Sequence, residues 1–247
     1  MPADINISYR QAKNRLLLLD YDGTLVPLAP TPDKAVPTPE MLAILRALSA
    51  DKHNTVVIVS GRDHQTLDAW MGHLPVALAA EHGHACKLPG GSWRMEDTGD
   101  AFWKVPVRDA MEDKVRAYPG SFIEEKTSAL VWHYRLASKF ADKAAEQLLR
   151  DLSPEAERFG LRLLRSHKAI EVQPRGVHKG SIAKEWFGKR SWDFALAGGD
   201  DTTDEDLFNA LPKTAYTFKI GSSPTIARYT ADTPADFLRV LNELYSS

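Results

Sequence analysis

Residues 16–24 read LLLLDYDGT, and this stretch decides the fold. Four consecutive leucines without polar alternation describe a strand buried on both faces, the kind that belongs to parallel sheets. The apolar run stops at Asp20, which leaves Asp20, Asp22 and Thr24 at the carboxyl end of the strand. Ligands of open parallel sheets bind beyond that end.

Working outward, a proline-rich loop leads to Thr38 as a helix cap with Pro39 at the first helical position. Met41, Ile44, Leu45 and Leu48 follow at helical spacing. Residues 55–59 are a second buried strand, ending in Ser60-Gly61-Arg62, and a helix is expected over about 64–72. Residues 75–80 are a third strand, ending in Glu81-His82-Gly83. Strand–helix alternation of this kind makes a Rossmann-like, doubly wound parallel α/β sheet.

Over residues 106–175 the character changes. A helical segment near 107–117 precedes the strand-like FIEEKTSALVWHYR at 122–135. An amphipathic segment, 139–152, precedes a strand pair, LRLLRSHKAIEVQP at 161–174. This reads as an inserted α+β domain within a catalytic core made of 1–105 and 176–247. Trp132 and Tyr134 alternate on one strand face and are expected in the core of the insertion. After GVHKG at 176–180 the α/β rhythm resumes, with DFALAGGDD as a strand and its end. Thr233-Pro234-Ala235-Asp236 opens the last helix with a cap, a proline at its first position and an acid at its third.

The 247 residues are 43% hydrophobic and 26% charged, with net charge −2, which gives no bulk argument for a nucleic-acid or membrane partner. Cys86 is the single cysteine, so no intramolecular disulfide and no cysteine-based zinc site can form. The longest apolar runs are too short to span a bilayer, and the N-terminal residues lack a signal-peptide pattern. The expectation is a soluble, cytoplasmic monomer acting on a small molecule.

Asp20/Asp22, Ser60-Gly61-Arg62 and Asp200/Asp201 each follow a strand, so they gather at one sheet edge. Converging carboxylates repel one another and are tolerated around a cation. Oxygen ligands without cysteine, and without histidine in these clusters, favour a hard ion such as Mg²⁺. Asp20 can then attack phosphorus and form an aspartyl phosphate. Asp22 can protonate the departing alkoxide and deprotonate the attacking water. Thr24 and Ser60 offer hydroxyls to phosphoryl oxygens, and Lys179 offers a fixed positive charge. Gly61 and Arg62 complete the phosphate-contacting turn.

DYDGT, VIVSGR, the lysine of HKG, and GGDD, in this order, resemble the motifs of the haloacid dehalogenase superfamily. The resemblance implies a Rossmann-like core with an inserted cap of the type-2 class. It also implies Asp20 as nucleophile and Asp22 as acid/base. Mg²⁺ would be held by Asp20, the backbone carbonyl of Asp22, and Asp200, with Asp201 orienting Lys179. GGDDTTDEDLF, AEHG, EEKTSALVWHYR and IEVQPRGVHKG are similar, more narrowly, to the trehalose-6-phosphate phosphatase family. That family grips its sugar with a Glu-x-Lys pair and a further glutamate, which fall here on Glu124, Lys126 and Glu171. Thr202 departs from the family pattern, where arginine is common.

Strand alternation places Glu124 and Lys126 on one face and turns Glu171 away from Ile170 and Val172. His82 is read as structural or substrate-side. Asp204 is read either as a charge at a helix N-terminus or as a group supporting the metal site. The expected activity is Mg²⁺-dependent hydrolysis of trehalose 6-phosphate. The alternatives are a phosphatase for sucrose phosphate or a glycosyl-glycerate phosphate, a phosphosugar mutase, and a non-catalytic phosphosugar-binding regulator.

Overall fold

The computed structural model describes residues 4–97 and 99–246. It divides into two compact units, one formed by the chain up to Glu96 and from His178 onward, the other by Asp97–Val177.

The first unit begins with α1 (Ile5–Gln11), β1 (Arg15–Leu19), α2 (Pro39–Ala50), β2 (Asn54–Val59), α3 (His64–Met71) and β3 (Ala77–Ala80). A hairpin of β4 (Ala85–Lys87) and β5 (Trp93–Met95) follows, with LPGG in its turn. The second unit holds α4 (Lys104–Ala117), β6 (Phe122–Glu125), β7 (Leu130–His133), α5 (Ala141–Phe159), β8 (Leu161–Ser166) and β9 (Ala169–Pro174). The first unit then resumes with α6 (Lys179–Gly188), β10 (Phe194–Gly199), α7 (Thr202–Asn209), β11 (Tyr216–Ile220), β12 (Tyr229–Ala231) and α8 (Pro234–Ser246).

The first unit is an eight-stranded sheet in the order β12-β11-β10-β1-β2-β3-β4-β5. It is parallel from β12 to β3, and the β4–β5 hairpin extends its far edge in antiparallel pairing. The leucine run occupies its centre, and Leu16 to Leu19 are each 0% exposed. Alternation splits them between two cores. Leu17 and Leu19 pack with residues of α2, α3 and α8, while Leu16 and Leu18 pack with residues of α6 and α7. The chain proceeds from β1 outward through β2 and β3, and later from β10 outward through β11 and β12. The order therefore reverses between β1 and β10, which is where a doubly wound sheet opens a crevice at its carboxyl edge.

The second unit is a four-stranded antiparallel sheet, β6-β7-β9-β8. One face carries Leu130, Trp132, Ile170 and Val172, which pack with Met111 of α4 and Leu148 and Leu152 of α5. Trp132 and Tyr134 stack inside this core, with ring centroids 4.8 Å apart. The helix expected over 139–152 runs to Phe159, past Pro154. Leu152 and Ala156 continue its buried stripe across the proline, so packing outweighs the lost N–H. The helix ends at Gly160, whose φ of 64° suits glycine.

Candidate active site

Asp20 follows the last residue of β1, and its N–H donates to Gly198 O of β10 at 3.0 Å. Its carboxylate is buried and doubly engaged. Lys179 Nζ donates to Oδ1 at 2.6 Å, and Thr24 Oγ1 donates to Oδ2 at 2.7 Å. Lys179, the first residue of α6, also donates to Asp204 Oδ1 at 2.8 Å. Asp20, Asp200 and Asp204 each offer an oxygen, and these oxygens lie within 4.8 Å of one another. Gly23 makes room for Asp200. Its φ is +78°, and a Cβ there would lie 2.0 Å from Asp200 Oδ2.

This charge balance is uneven, with one ammonium facing a cluster of acids. Burial, then the Asp20 and Asp204 charges, push Asp200 up to about 9, and Lys179 offsets them only in part. Burial and the Asp20 charge push Asp204 up to about 6. Asp20 is raised as well by burial, against the pull of Lys179 and Thr24. For Lys179, burial works against the charge, but Asp20 and Asp204 outweigh it and raise its pKa. A buried oxygen cluster that binds protons this tightly for want of positive charge suits a hard divalent cation.

Two sequence expectations need correction here. Asp204, not Asp201, holds Lys179. Asp201 is the N-cap of α7, and its carboxylate turns back to the Thr202 N–H at 2.7 Å. Asp204 stands at the third helical position and projects into the site, while its Oδ2 accepts the Asp201 N–H at 3.1 Å. This is a capping box, and DDTTD was its sequence signal. Second, the converging acids are not those of the two Asp pairs. Asp22 lies outside the Asp20–Asp200–Asp204 cluster, since Arg62 grips it from the end of β2. Arg62 Nε donates to Asp22 Oδ2 at 2.8 Å and a terminal nitrogen donates to Oδ1 at 2.7 Å.

Ser60 is 1% exposed, and its Oγ accepts the Arg62 N–H at 3.2 Å. His82 is buried in the first unit, with φ of 56°. Its N–H donates to Ser60 O at 2.9 Å, and its ring packs on Gly61, where a Cβ would come within 2.8 Å of Nε2. His82 thus sits behind the Ser60-Gly61-Arg62 turn.

In the second unit, the sheet face opposite the helices carries Glu124, Lys126 and Glu171. Strand register puts Glu124 and Glu171 on either side of Val131. Lys126 Nζ donates to Glu171 Oε1 at 3.1 Å, and both side chains are about nine-tenths buried. His133 was not singled out from sequence, yet its Nε2 lies 2.6 Å from Glu124 Oε2 and its ring stacks on Phe122. The available signal was alternation, since His133 shares a face with Val131. Burial works to raise Glu124, but the His133 hydrogen bond and the Lys126 charge hold it below the usual carboxylate range. Among the described residues, no helix is long and apolar enough to cross a membrane.

Residues 18–235 match the trehalose-phosphatase family model. The chain is 45% identical to the bifunctional trehalose-6-phosphate synthase/phosphatase of Thermoproteus tenax, over 90% of this chain and 30% of that protein. It is 40% identical to trehalose-phosphatase of Saccharomyces cerevisiae, over 83% of this chain and 25% of that one. The chain thus spans less than a third of the length of these curated relatives. The C-terminal domain of C. albicans trehalose-6-phosphate phosphatase superposes with a TM-score of 0.93 at 32% identity, covering 98% of this chain and 95% of that one. Matched across nearly its whole length in sequence and in fold, the chain belongs to the trehalose-phosphatase family.

Proposed function

We propose that this chain hydrolyses trehalose 6-phosphate to trehalose and inorganic phosphate through an aspartyl-phosphate intermediate. The observation that carries the reading is the buried contact of Asp20 with Lys179 and Thr24 at the point where the strand order reverses. Asp20 attacks phosphorus with a carboxylate oxygen, and the bond from phosphorus to the sugar oxygen breaks. Asp22 gives a proton to the departing oxygen, then takes one from the water that attacks the phosphoenzyme. Phosphate leaves and Asp20 is restored. Lys179 and the hydroxyl of Ser60 face the charge that develops on the phosphoryl oxygens, while Thr24, expected there from sequence, spends its one hydroxyl proton on Asp20 Oδ2.

The donor set at the end of β1 fits Mg²⁺, with Asp20, the Asp22 carbonyl and Asp200 as its holders. When bound, the ion offsets the repulsion between the Asp20 carboxylate and the phosphate dianion. Both oxygens of Asp204 are taken, by Lys179 and by the Asp201 N–H, so Asp204 acts by holding the lysine.

The second unit supplies sugar recognition in this reading. Glu124 and Glu171 accept from sugar hydroxyls and Lys126 donates to them. Phosphate release across trehalose 6-phosphate, sucrose phosphate, a glycosyl-glycerate phosphate and glucose 6-phosphate, with Mg²⁺ and with chelator, tests the proposal. Trehalose 6-phosphate should be the best substrate and chelator should stop turnover. A different best substrate overturns the specificity, and Asp20→Asn with undiminished turnover overturns the covalent mechanism.

A further inference from the structure

We infer that Arg62 is a positioning residue for Asp22, an inference that rests on the reading of Asp22 as acid/base. The guanidinium edge formed by Nε and one terminal nitrogen is occupied by both oxygens of Asp22, at 2.8 and 2.7 Å. Bidentate contact of this kind fixes direction as well as distance. That edge is therefore spent on the Asp22 side chain.

Asp22 needs such support. Its side chain is 31% exposed, and among the described residues Arg62 is the one hydrogen-bond and ion-pair partner of its carboxylate. A general acid must present an oxygen within about 2.6–3.2 Å of the leaving atom. A half-solvated aspartate without a partner spreads over several rotamers and spends little time in that pose.

Arg62 itself is held from every side. Its Cζ lies 4.6 Å from the Trp70 ring centroid and 5.5 Å from that of Tyr21, within cation–π range. Its N–H donates to Ser60 Oγ at 3.2 Å, and its carbonyl accepts the Glu81 N–H at 2.9 Å. Glu81 and His82 hold this turn from behind in left-handed conformations, with φ of 47° and 56°. Non-glycine residues adopt that region at some energetic cost, and such strain persists where the surroundings enforce it. The strained turn after β3, the Ser60-Gly61-Arg62 turn after β2 and the Asp22 turn after β1 thus form one relay that ends on the Asp22 carboxylate.

The test compares two substrates in Arg62→Ala and Arg62→Gln, the latter keeping much of the stem packed on Trp70. The departing sugar oxygen of trehalose 6-phosphate requires a proton, whereas 4-nitrophenolate leaves as an anion. Phosphoenzyme formation from trehalose 6-phosphate should fall about 10²-fold, the lower end for lost acid catalysis, while formation from 4-nitrophenyl phosphate should fall far less. Added guanidinium ion should restore part of the Arg62→Ala loss, and Arg62→Gln should do no further harm in an Asp22→Asn background. Equal losses on both substrates with weakened inhibition by inorganic phosphate would assign Arg62 to phosphate binding and overturn the inference. So would losses that multiply in the double variant. A wild-type protein that releases phosphate from neither substrate overturns the phosphatase reading instead, a separate result.

Discussion

Replacing Lys179 with methionine isolates the electrostatics of the core site. The ammonium is buried, donating to Asp20 Oδ1 at 2.6 Å and to Asp204 Oδ1 at 2.8 Å. Methionine keeps most of the side-chain volume, so the void left behind is small. What disappears is the cation facing both carboxylates. Removing one partner of a buried pair costs about 3–5 kcal/mol, because the other charge is left uncompensated. For a chain of this size each kcal/mol moves Tm by roughly 2–4 °C, so the metal-free core should melt roughly 10 °C lower near pH 8. The loss also has a pH signature. Asp204 and Asp200 are already pushed up to about 6 and about 9 by burial and acidic neighbours, from an ordinary value of 3.8. Without the ammonium they hold protons tighter still in the folded state. A carboxyl whose folded pKa is raised contributes stability at low pH and loses it as pH rises through the folded value. The gap between variant and wild type should therefore widen from about pH 5 to about pH 8. Calorimetry of the metal-free proteins at both pH values measures it. A loss below about 1 kcal/mol near pH 8, the worth of an exposed pair, or an equal loss at both pH values, refutes the reasoning.

The same imbalance predicts that the metal-free wild type loses stability as pH rises between the ordinary aspartate value of 3.8 and about 9, the window set by Asp200. Mg²⁺ should raise Tm more at the alkaline end of that window, and a pH-independent gain would contradict the placement of the ion among these acids. Gly23→Ala puts a methyl 2.0 Å from Asp200 Oδ2 at a φ of +78° and must displace that carboxylate. The Mg²⁺ concentration for half-maximal phosphate release should rise about tenfold, equivalent to about 1.4 kcal/mol, and an unchanged value would show that Asp200 is not a holder of the ion. Glu171→Gln removes the charge that pairs with Lys126 while keeping the shape. KM for trehalose 6-phosphate should rise about 10- to 100-fold, the worth of a hydrogen bond to a charged group, with 4-nitrophenyl phosphate turnover unaffected. Equal effects on both substrates would remove Glu171 from sugar recognition.

The parts of this molecule readable from sequence are those set by local pattern. A short leucine run that stops at DYDGT fits a strand covered on both sides, and Leu16 to Leu19 divide between two cores as alternation requires. Once that strand is central, parallel neighbours must end at the same edge, so the residues after β1, β2 and β10 meet there. What pattern does not state is which of several adjacent polar side chains points where. Asp201 and Asp204 are both acids at the start of α7, and only the geometry of the cap sends the first back to its own helix and the second to Lys179. Arg62 and Asp22 lie 40 residues apart, and nothing local directs one to the other. The segment expected over 139–152 runs on to Phe159, because the buried stripe of α5 is a tertiary matter that carries the helix past Pro154.

These side-chain choices decide how the site can work. A cluster of Asp20, Asp200 and Asp204 around one lysine is a poor arrangement for folding, because burial and repulsion together drive the acids toward their protonated forms. Each feature that makes it poor is one that a bound divalent ion would relieve. Asp22 is kept outside that cluster by a guanidinium, at the position where the proposed mechanism needs a carboxylate to carry and release a proton. The separation of the two aspartates of DYDGT into different electrostatic environments, two residues apart on one turn, is the arrangement that the proposed division between nucleophile and proton shuttle requires.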